Sequence, residues 1–509
     1  MIKRFAASYL IAGALFAAAM TACNENDNNY QDDYGYTPET MYSSTAVTSF
    51  NIKPNSKLLA NLDSVFFTID LNRGLIFNAD SLPKDTKITK LVPNIGTSGS
   101  SKIELIVKGS KVMKDTTFVY TTSFTDSIDF SANVMVRVTS LNEKYTGNYQ
   151  IKVNVHKLKP DSLHWSEIAW KGMPGNPIAQ KTVVNDERVY TFMETADGYK
   201  VWIQDTPGAD GEVKQLTFTS SLDVKSVVAG EDMFYALNTN GVLHSSHDGI
   251  DWTAQGEQLH HIYGVYDGHV IAVRKDGAKY FHTTYPHTGT DTEVSADCPI
   301  SGTSPLIQFE NKWMEKPLAL TVGGRTANGT LTGAAWGYDG AHWAKVSATP
   351  IKGAYQGMTL FPYFTFRTSS SSWKVTEYST IFAMGGVNQQ GYNTRRVFIS
   401  RDQGLNWSEA DDLLSLPDYI PETAFAQAIV WTSELHSRSL AASSDWNETA
   451  ARPLPAWWIE TPGYGRATKP VTSWECPYIY LYGGILPNGQ LNPQVWRGVI
   501  NRLTFKPLE

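Results

Sequence analysis

The sequence predicts an all-β protein: a β-sandwich followed by a ring of repeated four-stranded sheets, a β-propeller of six or seven blades. Three observations carry that prediction. Aromatic residues make up 12% of the 509-residue chain, with 15 Trp and 25 Tyr, and such side chains favour a pleated, half-buried surface. From about residue 41 the chain breaks into short runs that alternate apolar and polar residues, the period of a strand. In the second half one glycine-to-aromatic spacing recurs, and self-similarity of that kind signals stacked modules.

The elements follow in chain order. Residues 1–22 form a targeting segment: Lys3 and Arg4 precede an apolar run from Phe5 to Met20, shorter than the ~20 residues of a membrane span and of the kind that opens a secretory protein. Met20-Thr21-Ala22-Cys23 resembles a bacterial lipobox, which implies that Cys23 becomes the lipidated first residue. Residues 23–40 are polar and acidic, nearly free of aliphatic side chains, and read as a disordered tether. An acidic stretch in that place also resembles the export signal of surface lipoproteins in Bacteroidetes. The resemblance implies the outer face of the outer membrane, with the membrane touched through the N-terminal lipid only. A plain spacer on a periplasm-facing lipoprotein is the alternative.

Residues 41–157 hold the strand-like runs VFFTIDL (65–71), KIELIVKG (102–109), NVMVRVTSL (133–141) and NYQIKVNVH (148–156), separated by turn-forming clusters. They predict an immunoglobulin-like β-sandwich, a spacer with no catalytic-looking cluster. KLKPDSLHW (157–165) reads as a linker, with Pro160 as a stop.

Residues 162–509 carry the repeat. Gly-Gly pairs end the apolar runs LALTVGG, TIFAMGG and IYLYGG, and twelve residues after Gly324, Gly386 and Gly484 stand Trp336, Phe398 and Trp496. A second aromatic follows at nine residues in two of these copies, Trp407 after Phe398 and Phe505 after Trp496, and Trp343 follows Trp336 at seven; Trp252 follows Leu243 at nine. Each unit reads as strand, loop, strand, tight turn and strand, with glycine where backbones approach and an aspartate accepting turn N–H groups. Such a sheet buries both faces only against copies of itself. The segment 411–475 shows the unit poorly; ADDLLSL (410–416) is the best helix candidate, and a long insertion surrounds PLPAWWIETPGYGRAT (453–468).

SRDQGLNW matches S-x-D-x-G-x-x-W through Ser400, Asp402, Gly404 and Trp407, and so resembles an Asp-box. The copy at 245–252 keeps Ser245, Gly249 and Trp252, with His247 in the aspartate position and Asp248 beside it. The Gly-Gly-to-aromatic pattern resembles a kelch blade. Signal, tether, sandwich and repeat together resemble uncharacterised lipoproteins of gut Bacteroidetes, which implies a fold and a location and no established activity. Asp402 is therefore read as a structural hairpin residue.

The composition excludes some functions. The formal charge of −7, or −9 without Lys3 and Arg4, and the lack of any basic run argue against nucleic acid. Cys298 and Cys476 are expected as buried thiols rather than a bridge, and no C-x-x-C or Cys/His cluster suggests zinc. His282 and His287 flank a loop that could hold a metal, but loop histidines explain them as well; neither metal nor cofactor is expected. Sialidases share the Asp-box, yet their Arg-Ile-Pro signature is missing, and Arg188 and Arg274 are the only arginines between residue 162 and Arg325. No nucleophile elbow, zinc helix motif or phosphate loop is present. The aromatic-rich segments FPYFTFRTSSSSW (361–373) and PAWWIETPGYGR (455–466) suggest binding instead, with Trp373, Trp457, Trp458 and Tyr464 as contacts. The expected protein is a monomeric, surface-anchored, non-enzymatic binder of a glycan or another protein. A divergent glycoside hydrolase or lyase working in the propeller funnel, and a scaffold subunit of an outer-membrane uptake complex, are the alternatives.

Overall fold

A computed structural model describes residues 42–168, 173–218, 220–309, 316–369, 374–436 and 473–500. The chain divides after His156 into two compact units. Both are built from strands; the helix among the described residues is a single 3-10 turn, Leu62–Ser64.

The first unit contains a six-stranded sheet in the order Thr68–Asp70, Leu75–Phe77, Thr146–Lys152, Asn133–Thr139, Lys102–Lys108, Thr116–Tyr120. Its Leu75–Phe77 and Thr146–Lys152 strands pair in parallel. A separate ribbon pairs Val47–Ile52 with Pro93–Thr97. Alternation in Asn133–Thr139 buries Val134, Val136 and Val138 completely, and Phe50 of the ribbon packs edge-on against Phe67 at 4.8 Å. The expected strands are present, but they form one large mixed sheet and one small ribbon, not the two comparable antiparallel sheets of an immunoglobulin-like domain. Alternation fixes which residues are buried; it does not fix which strands pair.

The second unit holds six four-stranded antiparallel sheets among the described residues. Blade 1 is Ala179–Asn185, Arg188–Thr195, Gly198–Gln204 and Gly211–Gln215; blade 2 is Leu222–Ala229, Phe234–Asn238, Val242–Ser246 and Thr253–Gln258. Blade 3 is His261–Tyr266, His269–Asp276, Lys279–Tyr285 and Thr292–Glu293; blade 4 is Ile307–Phe309, Leu318–Val322, Ala335–Tyr338 and Trp343–Lys345. Blade 5 is Thr359–Thr368, Val375–Met384, Val397–Ser400 and Ser408–Glu409. Blade 6 takes Gln427–His436, Ser473–Tyr482 and Val495–Ile500 from the end of the chain and Leu163–Glu167 from the start of the unit.

The first strands are innermost and close a ring. They touch from blade 1 to 2, 2 to 3, 4 to 5, 5 to 6 and 6 to 1, and Gln308 of blade 4 donates to the Val265 carbonyl of blade 3 at 2.8 Å. Leu163–Glu167, expected as the end of a linker, is the outer strand that closes the ring, with Trp165 opposite Gly498 and Leu163 opposite Ile500. Pro160 stops the preceding segment, but the strand it precedes has a partner more than 300 residues away, which local signals cannot reveal. The helix expected at 410–416 is a turn: Asp411 accepts the Leu413 N–H through its carboxylate and the Leu414 N–H through its carbonyl, and Pro417 prevents continuation.

The glycine repeat has a structural counterpart. Trp336, Phe398 and Trp496 all lie on third strands, opposite Thr321, Ala383 and Leu481, each three residues before the second glycine of its pair. These rings fill the gaps between neighbouring blades: Trp496 packs with Phe361 and Phe382 of blade 5, and Phe398 with Leu320 and Val322 of blade 4. Both glycines of every pair have positive φ. A Cβ on Gly323 would stand 2.7 Å from the Tyr355 carbonyl, and one on Gly385 2.6 Å from that of Thr423. In the first two pairs one blade's backbone thus meets the segment leading into the next; in the third, the space that a Cβ on Gly483 would fill is taken by the Gln180 side chain of blade 1.

Candidate functional site

The third-to-fourth-strand hairpins lie at one end of the blades. In blade 5, Asp402 Oδ1 accepts the Asn406 N–H at 2.9 Å and the Ser400 hydroxyl at 2.8 Å, while Oδ2 accepts the Asn406 amide at 2.8 Å. The Gly404 N–H donates to Ser400 Oγ, and the Trp407 indole donates to the Gly404 carbonyl at 3.0 Å. Desolvation works to raise the Asp402 pKa, but the bonds from Asn406 and Ser400 outweigh it and hold the carboxyl below its ordinary value. The blade 2 hairpin uses Ser246 and Asp248, not Ser245 and His247: Asp248 Oδ1 accepts Ser246 Oγ–H and the N–H groups of Ile250 and Asp251, and Trp252 donates to the Gly249 carbonyl. Blade 4 repeats the aspartate turn alone: Asp339 Oδ1 accepts from the N–H groups of Ala341 and His342 at 2.8 and 2.7 Å, whereas Gly337 stands in the serine position and the Trp343 indole N–H has no partner among the described residues. Blades 2 and 4 therefore share D-G-x-x-W, as DGIDW and DGAHW, and blade 5 carries one more residue. Counting back a fixed distance from Trp252 concealed this; counting forward from each Asp-Gly would have found it.

The opposite end, where second strands turn into third and fourth strands lead into the next blade, carries an open polar cleft of about 770 Å3. Blades 1 to 3 line it with Glu194, Asp223, Asn238, Asn240, His260 and Lys275 among others. Its volume falls within the range of small-molecule sites. Through Ala179 and Lys225 the cleft adjoins a smaller cavity of about 40 Å3 at the mouth of the central channel, lined by Gln180, Lys181, Thr303, Phe425 and Gln427. These residues sit at or just before the starts of first strands, so the ring itself brings them together.

Burial dominates the chemistry of this mouth. Lys181 retains some accessible surface but is ringed by protein; desolvation lowers its pKa to about 8, partly offset by Asp223. His261 donates to or accepts from the Thr303 hydroxyl at 3.1 Å, and desolvation, with the charges of His260 and Lys181, lowers its pKa to about 3. His261 is therefore neutral at physiological pH. Gln180 is 4% exposed, and neither its amide nitrogen nor its oxygen has a hydrogen-bond partner among the described residues. Leaving such an atom unpaired costs about 1–3 kcal/mol. Phe425 has φ of +58°, a conformation rare for an aromatic residue. Its N–H donates to the Gly357 carbonyl at 2.7 Å, its ring lies where a Cβ on Gly357 would be, and Lys225 Nζ stands 5.8 Å from the ring centre. Lys225 belongs to blade 2 and Phe425 leads into blade 6, so this contact crosses the channel mouth.

The residues expected as contacts, Trp373, Trp457, Trp458 and Tyr464, lie outside the described residues, as does Cys23. Within 361–373, the part expected as a loop is in fact first strand through Thr368, with Phe361 and Tyr363 buried between blades 5 and 6. Pro362 is tolerated there because the innermost strand has no ladder partner on its channel side. Cys298 and Cys476 are both free, the first buried and the second half-buried. Burial pushes the Cys298 thiol up to about 12, so it is not nucleophilic. His282 stacks on Trp343 at 5.2 Å in the wall between blades 3 and 4, whereas His287 is 57% exposed beside Asp291. Among the described residues no three His, Cys, Asp or Glu side chains are disposed to hold a metal ion. Among the described residues of the propeller, the carboxylates with a shifted pKa, Asp248, Asp267, Asp291, Asp339 and Asp402, all move downward.

A closed ring of antiparallel sheets, six among the described residues, the last completed by the first strand of the unit, defines a β-propeller protein carrying a separate N-terminal β domain. The chain belongs to the DUF6242 family: the DUF6242 beta propeller domain matches residues 159–508, and the N-terminal domain of unknown function matches residues 40–153. No curated protein matches it. Among solved structures, the chain is similar to "Structure of YjhT" at 10% identity, covering 64% of this chain and 95% of that one with a TM-score of 0.35. It is similar to a mutant of Trypanosoma rangeli sialidase displaying trans-sialidase activity at 10% identity, covering 68% and 58% with a TM-score of 0.31. An oligogalacturonate lyase in complex with manganese aligns at 10% identity, covering 79% and 98% with a TM-score of 0.29.

Proposed function

We propose that this protein is a lipid-anchored, monomeric, non-enzymatic binding protein of the outer-membrane surface, and that its propeller binds a glycan. Cys23 carries the lipid, residues 23–40 act as a tether, and the N-terminal domain acts as a spacer. The glycine pairs and Asp402-type hairpins are read as those of kelch and Asp-box blades, with a structural role. The observation that carries the binding reading is the 770 Å3 cleft, lined by amide, carboxylate, imidazole and ammonium groups from three blades. That density of donors and acceptors suits sugar hydroxyls more than an apolar ligand.

A protein-binding surface on the other face is the second reading. Trp373 falls between the first and second strands of blade 5, and Trp457, Trp458 and Tyr464 between those of blade 6. The strands that bracket these segments are neighbours, with Tyr363 donating to the Pro477 carbonyl at 2.6 Å.

A glycan array probed with the purified chain from Asn24 onward tests the glycan reading and the face that carries it. The glycan reading expects retention of at least one glycan class, with a tenfold or greater loss in an Asn240→Ala/Lys275→Ala double variant, both residues lining the cleft. Loss on alanine replacement of the four aromatic residues, with the double variant unaffected, would move the site to the other face. An array with no retained glycan would sink the glycan reading.

A further inference from the structure

We propose that the channel mouth is a subsite for an acidic sugar, a carboxylate flanked by a hydroxyl, so that the ligand of the cleft is an anionic glycan. This rests on the reading of the cleft as a binding surface. The two cavities share Ala179 and Lys225, so a ligand lying in the larger one can place one ring or substituent in the smaller.

Three observations define the chemistry. Lys181 and Lys225 both line the mouth; neither ammonium has a carboxylate within ion-pair distance or a hydrogen-bond acceptor among the described residues, and that of Lys225 meets only the Phe425 ring, at 5.8 Å. Asp223 offsets Lys181 only at longer range, and the two imidazoles nearby, His260 and His261, have lowered pKa values and add no positive charge at neutral pH. Lys181, ringed by protein but still open to solvent, and Lys225, exposed at the rim, thus present two cations with no direct acidic partner among the described residues, a charge that an anion would answer. The second observation is Gln180, buried in the wall of the same cavity with neither its donor nor its acceptor used among the described residues. A bare carboxylate would satisfy only its N–H group. A carboxylate with an adjacent hydroxyl would satisfy both ends, accepting from the amide nitrogen and donating to the amide oxygen. The third is Phe425, held in a strained conformation at the rim, which offers an apolar edge beside the two cations. The small volume, about 40 Å3, admits a substituent of this size and not a whole oligosaccharide, so the remainder of the ligand occupies the cleft.

Calorimetric titration of the chain from Asn24 onward with D-glucuronate, D-glucose and inorganic phosphate tests the assignment. Glucuronate is expected to bind at one site at least tenfold more tightly than either glucose or phosphate. Lys181→Met and Gln180→Leu are each expected to weaken it tenfold or more. A second readout does not depend on the variants folding: amine labelling of Lys181 at pH 8, followed by mass spectrometry, should slow at least threefold with saturating glucuronate and stay unchanged with glucose. Equal binding of glucose would remove the role of the charge, and equal binding of phosphate would reduce the site to a general anion trap. Either result overturns the proposal, as does unaltered affinity in Lys181→Met or the absence of both binding and protection. Array retention of neutral glycans alone would leave the cleft reading standing while this one fell.

Discussion

Asp402 shows how one carboxylate organises a hairpin. It accepts a main-chain and a side-chain N–H from Asn406 and the Ser400 hydroxyl, so removing it unties three groups at once. Asp402→Ala is expected to cost about 1–2 kcal/mol at pH 7, the value for charge-assisted bonds discounted for solvent exposure. Its folded pKa is depressed, so its contribution is fully present above the unfolded value near ~4 and is lost as pH falls through the folded value. Urea midpoints of wild type and variant should differ at pH 7 and converge toward pH 2; a constant gap would assign the effect to packing. The sequence made this residue legible because Ser400, Asp402, Gly404 and Trp407 obey one spacing. It misassigned Ser246 and Asp248 because the blade 2 hairpin is one residue shorter than that of blade 5, so a count taken back from the tryptophan lands one residue early. Lys181, Gln180 and Phe425 left no trace in the sequence at all: a lysine or glutamine at a strand start reads as solvated, and only closure of the ring turns that position inward.

At the scale of the element, the Gly-Gly pair is the recurrent device, and its two requirements separate experimentally. Gly385 has φ of +68°, and a Cβ there would stand 2.6 Å from the Thr423 carbonyl oxygen. Gly391, in the loop that follows, has φ of +86° with nothing within 4 Å of the Cβ position. Gly391→Ala is expected to cost about 1–2 kcal/mol, the left-handed penalty alone. Gly385→Ala adds a clash with a backbone atom that cannot rotate away, and is expected to cost at least about 2 kcal/mol more. Denaturant midpoints measured side by side check the difference; equal costs would mean that blades 5 and 6 separate freely at this junction. The three pairs are readable because close approach of the next blade, by backbone at Gly323 and Gly385 and by the Gln180 side chain at Gly483, demands glycine at the same place each time. Blades 1 to 3 carry no such pair, and they were harder to delimit from the sequence for that reason.

The whole propeller depends on one long-range strand pairing. Six or seven blades fit the length of the repeat region, and the sequence does not choose between them, because 411–475 shows the unit poorly and Leu163–Glu167 reads as linker; Phe505, expected to close the last blade, lies outside the described residues. Pairing of that strand with Val495–Ile500 completes blade 6 and joins the start of the unit to its end. Trp165 is the anchor: 7% exposed, it packs in one cluster with Leu163, Trp496 and Ile500, and its indole lies where a Cβ on Gly498 would be, 2.9 Å from the nearest ring carbons. Glycine at 498 therefore makes room for the ring across the strand pair. Trp165→Ala removes most of that contact and is expected to cost about 3–5 kcal/mol. It also weakens the strand that covers the edge of Val495–Ile500, and an uncovered edge is a template for pairing with other chains. Two readouts then diverge from those of an ordinary core truncation. The midpoint of chemical unfolding should fall, and light scattering at subdenaturing urea should rise, whereas a truncation away from any edge, such as Leu243→Ala in blade 2, should lower the midpoint without the scattering. If Trp165→Ala behaves like Leu243→Ala in both measurements, the closing strand is dispensable to the ring and the last blade is held by its other three strands alone.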